Sequence, residues 1–385
     1  MDNQQLDRDQ LEVILQAENI DQLTYPEMVD LFLLEKGLGD YQPDPIAHQD
    51  PRNSEQVLFN TSRANRPHDN VDQNINQTVK ISGPEDCIIC AGKTTGVVDV
   101  ADLSQGFTFI NKNLFPIVYP VENPSFQTRS KSLAGPLSAE GNPAFGLHFL
   151  QWTSSIHTQD WHNMSSDDLI VVMKRLSVLE KTLLTTSLDA MPSLEKYGDH
   201  PGRSGFVSII KNSGSPVGGS IEHGHQQVVF SNLMPRRVQE NLKFKLDRGV
   251  YFSEYVLQEN PPELLVREYE QAVLIVPYFM RRPFDMLLIL KDTHKAYLHE
   301  LSSHEIASIT AGWQDGIKLL RAILPVKRRP IAFNVVIHNG PGAGLYFEFL
   351  PYSQEEGGFE KLGLSVCQSN PALACDQLKE LVTKV

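Results

Sequence analysis

The chain has 385 residues, 41% hydrophobic and 21% charged, with 34 basic against 47 acidic side chains and a formal charge of -13. That is a globular composition, large enough for one big core or two fused modules, and it excludes extended disorder. The negative charge, with no lysine and arginine block, excludes a nucleic-acid backbone as partner. No run approaches the ~18 apolar residues of a membrane span. The acidic start, MDNQQLDRDQLEVILQ, lacks the basic-then-apolar order of a secretory leader, so a cytoplasmic protein is expected.

In chain order, two helix-like stretches come first, residues 6–19 (LDRDQLEVILQAEN) and 25–37 (YPEMVDLFLLEKG). The second has Pro26 near its start and Gly37 at its end, as a helix prefers. They read as an accessory segment. Residues 50–67 (DPRNSEQVLFNTSRANRP) carry short β-type runs, and 69–86 (DNVDQNINQTVKISGPED) form a polar surface loop leading to a C-x-x-C at Cys87 and Cys90. Strand-like GFTFI (106–110), FPIVY (115–119) and FGLHFLQW (145–152) follow, then an amphipathic helix from a serine cap over 165–184, then GFVSIIKN (205–212) and QQVVF (226–230). After a polar helix over 238–249 the outline repeats. Strands LVREYEQ (265–271), AVLIVPYF (272–279) and FDMLLIL (284–290) precede a helix over 302–324 and strands IAFNVVIH (331–338) and GLYFEFLP (344–351). The texture is α+β with an antiparallel sheet, and the repeated order predicts two related halves.

Residues 211–230, KNSGSPVGGSIEHGHQQVVF, are the most informative stretch. On a strand, His223, His225 and Gln227 share one face. Upstream, Gly214, Gly218 and Gly219 with Ser220 bring backbone N–H donors close to phosphate oxygens. Neutral imidazole attacks phosphorus and departs readily from the phosphoramidate, so a histidine here suits phosphoryl or nucleotidyl transfer. Glutamine hydrogen-bonds a phosphoryl oxygen but is a poor proton donor, so Gln227 favours a phosphate ester leaving without a general acid over hydrolysis. His225 is the candidate nucleophile.

The chain has four cysteines, too scattered for a disulfide framework. Cys87 and Cys90 have the spacing of a tetrahedral zinc site, and no βαβ context supports a redox pair. The other ligands expected are His223 and His157, with His162 the alternative to His157. Such a zinc would be structural, fixing the strand that presents His225. Arg63 and Arg66 form a guanidinium pair suited to phosphate or uracil-type acceptors.

DPRNSEQVLFNTSRANRP, the C-x-x-C, the N-x-F-P at Asn113 to Pro116 and the glycine-led H-x-H-x-Q occur in the order and approximate spacing of galactose-1-phosphate uridylyltransferases, which this sequence resembles over roughly residues 48–380. VLIVPYFMRRPFDMLLILKDTH (273–294) extends the likeness, and EEGGFEKLGLSV looks like the ADP-glucose phosphorylase branch. The resemblance implies a duplicated histidine-triad-like module, a helical extension over 1–47, a zinc-bearing transferase half over 48–240 and a second half over 241–385. It implies a ping-pong reaction through a nucleotidylated His225 with Gln227 as phosphoryl partner. Cys87, Cys90, His157 and His223 would hold zinc, and Arg63, Arg66, Asn113, Asn212, Gly218, Gly219 and Ser220 would face the nucleotide. Its substrates would be a nucleotide sugar with a sugar 1-phosphate or inorganic phosphate, as in galactose metabolism, and the protein a homodimer. A nucleotide-binding protein without turnover is the alternative outside enzymes. Where the family builds a second metal site, this chain has Tyr346, Glu348 and Asn241 beside a retained His338, so no second metal is expected.

Overall fold

The computed structural model describes residues 6, 17–53, 55–66, 87–120, 141–188, 190–197 and 201–384. The first helix-like stretch and the polar loop of 69–86 lie almost wholly outside these residues. The second stretch forms α1 (Tyr25–Leu34), capped by Thr24 with Pro26 in its first turn. A small antiparallel sheet joins β1 (Ile46–Gln49) to β2 (Gln56–Leu58) and β5 (Asn142–Pro143).

The main sheet has ten strands and is antiparallel throughout. Its first half contains β3 (Val97–Asp102), β4 (Phe107–Lys112) and β6 (Gly146–Trp152), then helix α2 (Ser166–Thr186), then β7 (Phe206–Ser213) and β8 (His225–Ser231). Helices α3 (Arg236–Arg248) and α4 (Phe252–Glu259) lead to a second half. That half runs β9 (Leu265–Glu268), β10 (Ala272–Ile275), β11 (Met286–Leu290), helix α5 (Ser303–Val326), β12 (Phe333–His338) and β13 (Tyr346–Pro351). Across the sheet the order is β3-β4-β6-β8-β7-β12-β13-β11-β10-β9. In each half the final strand sits beside the third, so the two halves have the same topology in mirror sequence order, and β7 pairing with β12 joins them. The expected duplication is therefore present in the strand order itself.

Helices α2 and α5 cover one face and touch each other, with Trp161 and Trp313 stacked 4.6 Å apart between them. Alternation along the strands sends Phe149, Val228, Phe230, Phe347 and Phe349 into this layer. The core also takes in α1. Phe32 is fully buried with its ring 5.0 Å from that of Phe149, and Tyr25 lies 5.4 Å from Phe230. The segment that read as accessory thus completes the core of the first half.

Three local readings differ. FPIVY is irregular because side chains take its backbone groups. The Phe115 N–H donates to Asn113 Oδ1 at 2.9 Å and the Ile117 N–H to His148 Nδ1 at 3.2 Å, while Arg63 and Asn60 donate to the carbonyls of Phe115 and Pro116. No strand ladder is left to form. Helix α4 was not foreseen. Neither were the short α6 (Gly358–Lys361) and α7 (Pro371–Val382), although Asn370 as cap before Pro371 was the available signal for α7. No helix among the described residues is long and apolar enough to cross a membrane.

Replacing Phe32 by Ala should destabilise the protein by about 3–5 kcal/mol in chemical denaturation, because it opens a cavity beneath α1. Leu34→Ala, two residues on but 78% exposed, should change it by less than about 0.5 kcal/mol.

Candidate active site

Strand β8 is paired on both sides, with β6 and with β7. Because its even-numbered residues Val228 and Phe230 are committed to the core, its odd-numbered residues His225 and Gln227 face the other side of the sheet. Opposite them on β6, Trp152 pairs with His225 and Leu150 with Gln227. These four side chains form part of the wall of a cavity of about 490 Å³, which Arg63, Arg66, Asn113 and Ser220 also line.

The approach to β8 is a tight loop. Gly218 has φ +88°, a conformation that strains any residue with a Cβ, and a Cβ on Gly219 would meet the Gly214 backbone at 2.8 Å. Asn334 on β12 secures the loop, donating to Asn212 Oδ1 at 2.7 Å and to the Val217 carbonyl at 3.0 Å. Between the two histidines only glycine fits, since a Cβ on Gly224 would lie 2.5 Å from the Asp160 carboxyl carbon.

The Nδ1 of His225 lies 2.8 Å from the His223 carbonyl oxygen. A carbonyl only accepts, so Nδ1 carries the proton and the Nε2 lone pair is left free. Burial pushes the His225 pKa down to about 4, against that hydrogen bond, which raises it. The imidazole is neutral at physiological pH. Its ring also lies 4.9 Å from that of Trp152, which limits its orientations.

Behind β8 is a charge buried in the helix-facing layer. Lys211 on β7 is 1% exposed, and its ammonium donates to Asp160 Oδ1 at 2.9 Å and to the His225 carbonyl at 3.4 Å. Burial raises the Asp160 pKa, but the Lys211 charge outweighs this and holds it below the usual carboxylate value. The pair ties the loop between β6 and α2 to the backbone of His225.

Cys87, Cys90, His157 and His223 place one ligating atom each within 4.8 Å of all the others. Cys87 Sγ to His223 Nδ1 is 3.7 Å, and Cys90 Sγ to the Nδ1 atoms of His157 and His223 is 3.6 Å each. Sulfur and nitrogen on one tetrahedral zinc are about 3.5 Å apart, so the cluster fits a single such ion. His223 Nε2 lies 2.7 Å from the Ser154 carbonyl, which leaves Nδ1 for the metal. The Cys87 thiol is held well below the usual range by the hydrogen bond from Cys90. His162, the alternative to His157, stands apart from this cluster, with a buried Nδ1 that has no hydrogen-bond partner among the described residues.

Of the residues expected at the nucleotide, Arg63, Arg66, Asn113 and Ser220 line the cavity, whereas Asn212, Gly218 and Gly219 do not. The last three instead shape the loop that carries Ser220. Sequence reasoning missed His148, which lies 3.1 Å from the Asn113 amide nitrogen, and Trp152. Both follow from the two-residue period of FGLHFLQW once His225 is placed on that face. It also missed Glu35, Lys36 and Tyr41, contributed to the cavity by the segment after α1. In the second half, Tyr346 and Glu348 on β13 hold the places topologically equivalent to His225 and Gln227. There Glu348 Oε2 lies 2.9 Å from His338 Nε2, the Tyr346 ring stacks on His338 at 4.3 Å, and the Tyr346 hydroxyl meets Asn241 Oδ1 at 3.3 Å. Burial raises the Glu348 pKa, and His338 overrides it, drawing the value down to about 2.

No protein-family profile matches the chain. It is 22% identical over 363 residues to ADP-glucose phosphorylase of Arabidopsis thaliana, covering 87% of this chain and 92% of that protein. Against galactose-1-phosphate uridylyltransferase of Schizosaccharomyces pombe it is 25% identical over 261 residues, 64% of this chain and 66% of that one. Among solved structures, a uridylyltransferase superposes with a TM-score of 0.62 at 17% identity, covering 88% of this chain and 99% of the other. A crystal structure of an Arabidopsis thaliana ADP-glucose phosphorylase with bound ADP-glucose gives 0.56 at 18% identity, with the same coverage. The solved structures share the fold, a duplicated module of antiparallel sheet flanked by helices.

Lys211→Met should cost about 3 kcal/mol in denaturant unfolding, since breaking a buried pair strands the remaining charge. Adding Asp160→Asn should recover part of that loss, giving a favourable coupling in the double-mutant cycle.

Proposed function

We propose, from its homology to galactose-1-phosphate uridylyltransferases and to ADP-glucose phosphorylase, that this protein transfers a nucleoside monophosphate from a nucleotide sugar by way of His225. The observation that carries the reading is the neutral His225, its Nε2 lone pair free, beside Gln227 on the wall of a cavity lined by arginines. Nε2 attacks the α-phosphorus of the bound nucleotide sugar. The N–P bond forms as the bond from phosphorus to the bridging oxygen breaks, and the sugar 1-phosphate leaves as an anion that needs no proton. A second phosphate-bearing acceptor then attacks the same phosphorus and releases His225, so two inversions give net retention.

Each neighbour has a part. The Gln227 amide donates to a phosphoryl oxygen without moving a proton. Arg63 stays cationic even though burial pushes its pKa down to about 10, and with Arg66 and the Ser220 loop it offsets charge developing on the phosphoryl group. Asn113, held by its contact to His148, offers polar contacts to the nucleotide. Cys87, Cys90, His157 and His223 would hold one zinc ion, whose contribution is structural: it fixes the entry to β8 and hence His225. Inorganic phosphate as acceptor, giving a phosphorylase, is the second reading, favoured by an alignment spanning 92% of ADP-glucose phosphorylase. We place the protein in the cytoplasm, in carbohydrate metabolism, and as a homodimer.

Intact-protein mass spectrometry after incubation with UDP-glucose, ADP-glucose or GDP-hexose separately should show a gain of one nucleoside monophosphate with one donor, and none in His225→Ala. A native chain, loaded with zinc, that gains no mass with any donor overturns the reading. Gln227→Ala should lower kcat by about 10²–10³. Elemental analysis should find about one zinc per chain, lost in Cys90→Ser together with a lower Tm, as tetrahedral structural sites contribute folding energy.

A further inference from the structure

We propose that the segment ending α1 is a working wall of the nucleotide cavity, and that Lys36 contacts the anionic part of the ligand and sets its affinity. This rests on the nucleotide-transfer reading and adds to it a residue from outside the region that resembles the uridylyltransferases.

Three observations carry it. The segment is held in place at the cavity. Lys112, at the end of β4 and 5% exposed, donates to the Leu31 carbonyl at 2.8 Å and forms an ion pair with Glu35 at 2.6 Å. Glu35 also accepts from the Gly96 N–H at 2.9 Å, and a Cβ on Gly96 would overlap its carboxylate at 2.2 Å. With Phe32 buried on one side and Glu35 locked on the other, the next residue has little freedom of position.

The segment also supports the arginines. The Tyr41 carbonyl accepts from Asn60 Nδ2 and Ser62 Oγ, both at 3.2 Å, and the Tyr41 ring lies 4.4 Å from that of Phe115, whose carbonyl accepts from Arg63. The turn that presents Arg63 and Arg66 is thereby tied to the chain after α1.

The third observation is charge. In a protein of formal charge -13, the cavity is lined by the cations Lys36, Arg63, Arg66 and Lys93. Its carboxylate, Glu35, is already engaged with Lys112 and Gly96. Lys36 itself is exposed and has no hydrogen bond or ion pair among the described residues. An unpaired ammonium at the wall of a cationic cavity meets a ligand of several negative charges, as the diphosphate of a nucleotide sugar supplies.

The test is isothermal titration of ADP, UDP and GDP into the full-length zinc-loaded protein, in both the native chain and His225→Ala, which cannot form an adduct. Lys36→Ala should weaken binding of the favoured nucleotide about tenfold in either background, a loss typical of one charge-assisted hydrogen bond. Lys36→Arg should restore most of it. Because the side chain is exposed, Tm should not change, and in turnover KM should rise with kcat within about twofold. Binding by Lys36→Ala within twofold of its parent overturns the proposal, as does a native chain that binds none of the three. Nucleotide binding that depends on Lys36, in a native chain that never forms an adduct, sinks the transfer chemistry and leaves the Lys36 assignment standing.

Discussion

Everything at the candidate site depends on the alternation of one strand that is hydrogen-bonded on both edges. β8 is held by β6 on one side and β7 on the other, and Val228 and Phe230 are locked into the layer beneath α2. A slip of one residue would turn His225 into the core and Val228 out of it, so the register that buries the apolar residues also sets the imidazole facing the cavity. The Cys87, Cys90, His157 and His223 cluster, which could hold one metal ion, lies at the start of this strand, and the Lys211–Asp160 pair lies behind it. The cluster includes His223, and the pair reaches the His225 carbonyl. His225 therefore needs little reorganisation to face the cavity.

Much of this was legible in the sequence because it obeys short-range rules. H-G-H-x-Q with its glycine approach required a strand face and a tight turn. The spacing of Cys87 and Cys90 pointed to a tetrahedral partner set, and only long-range packing brings His157 rather than His162 into the cluster. The two strand-helix-strand series were visible as periodicity, but the junction of β7 with β12 was not, since no local pattern encodes which edges meet.

What escaped the sequence was set by contacts between distant segments. FPIVY has the composition of a strand, yet Asn60, Arg63, Asn113 and His148 claim its backbone groups first. Glu35 and Lys36 read as the tail of an accessory helix, and they reach the cavity because Phe32 anchors α1 and Lys112 and Gly96 hold Glu35. Lys211 stands near the end of the strand-like GFVSIIKN. Its burial makes sense only with Asp160, 51 positions earlier, alongside it. Electrostatics was only half visible: Arg63 and Arg66 were expected at the ligand, whereas Lys36 and Lys93, which also line the cavity, were not.

The continuous sheet has a consequence for how the chain is made. β7 is an inner strand only because β12 covers it, and β12 lies more than a hundred residues downstream. While the ribosome is still synthesising the second half, the first half carries β7 as a bare edge, an open template for any other strand. The two halves have matching topologies and meet antiparallel at this seam, so a prematurely terminated chain would offer its β7 to the β7 of another such fragment. Full-length synthesis supplies the covering strand from the same molecule, and the duplicated half, whatever else it does, keeps the β7 edge from pairing with a strand of another chain.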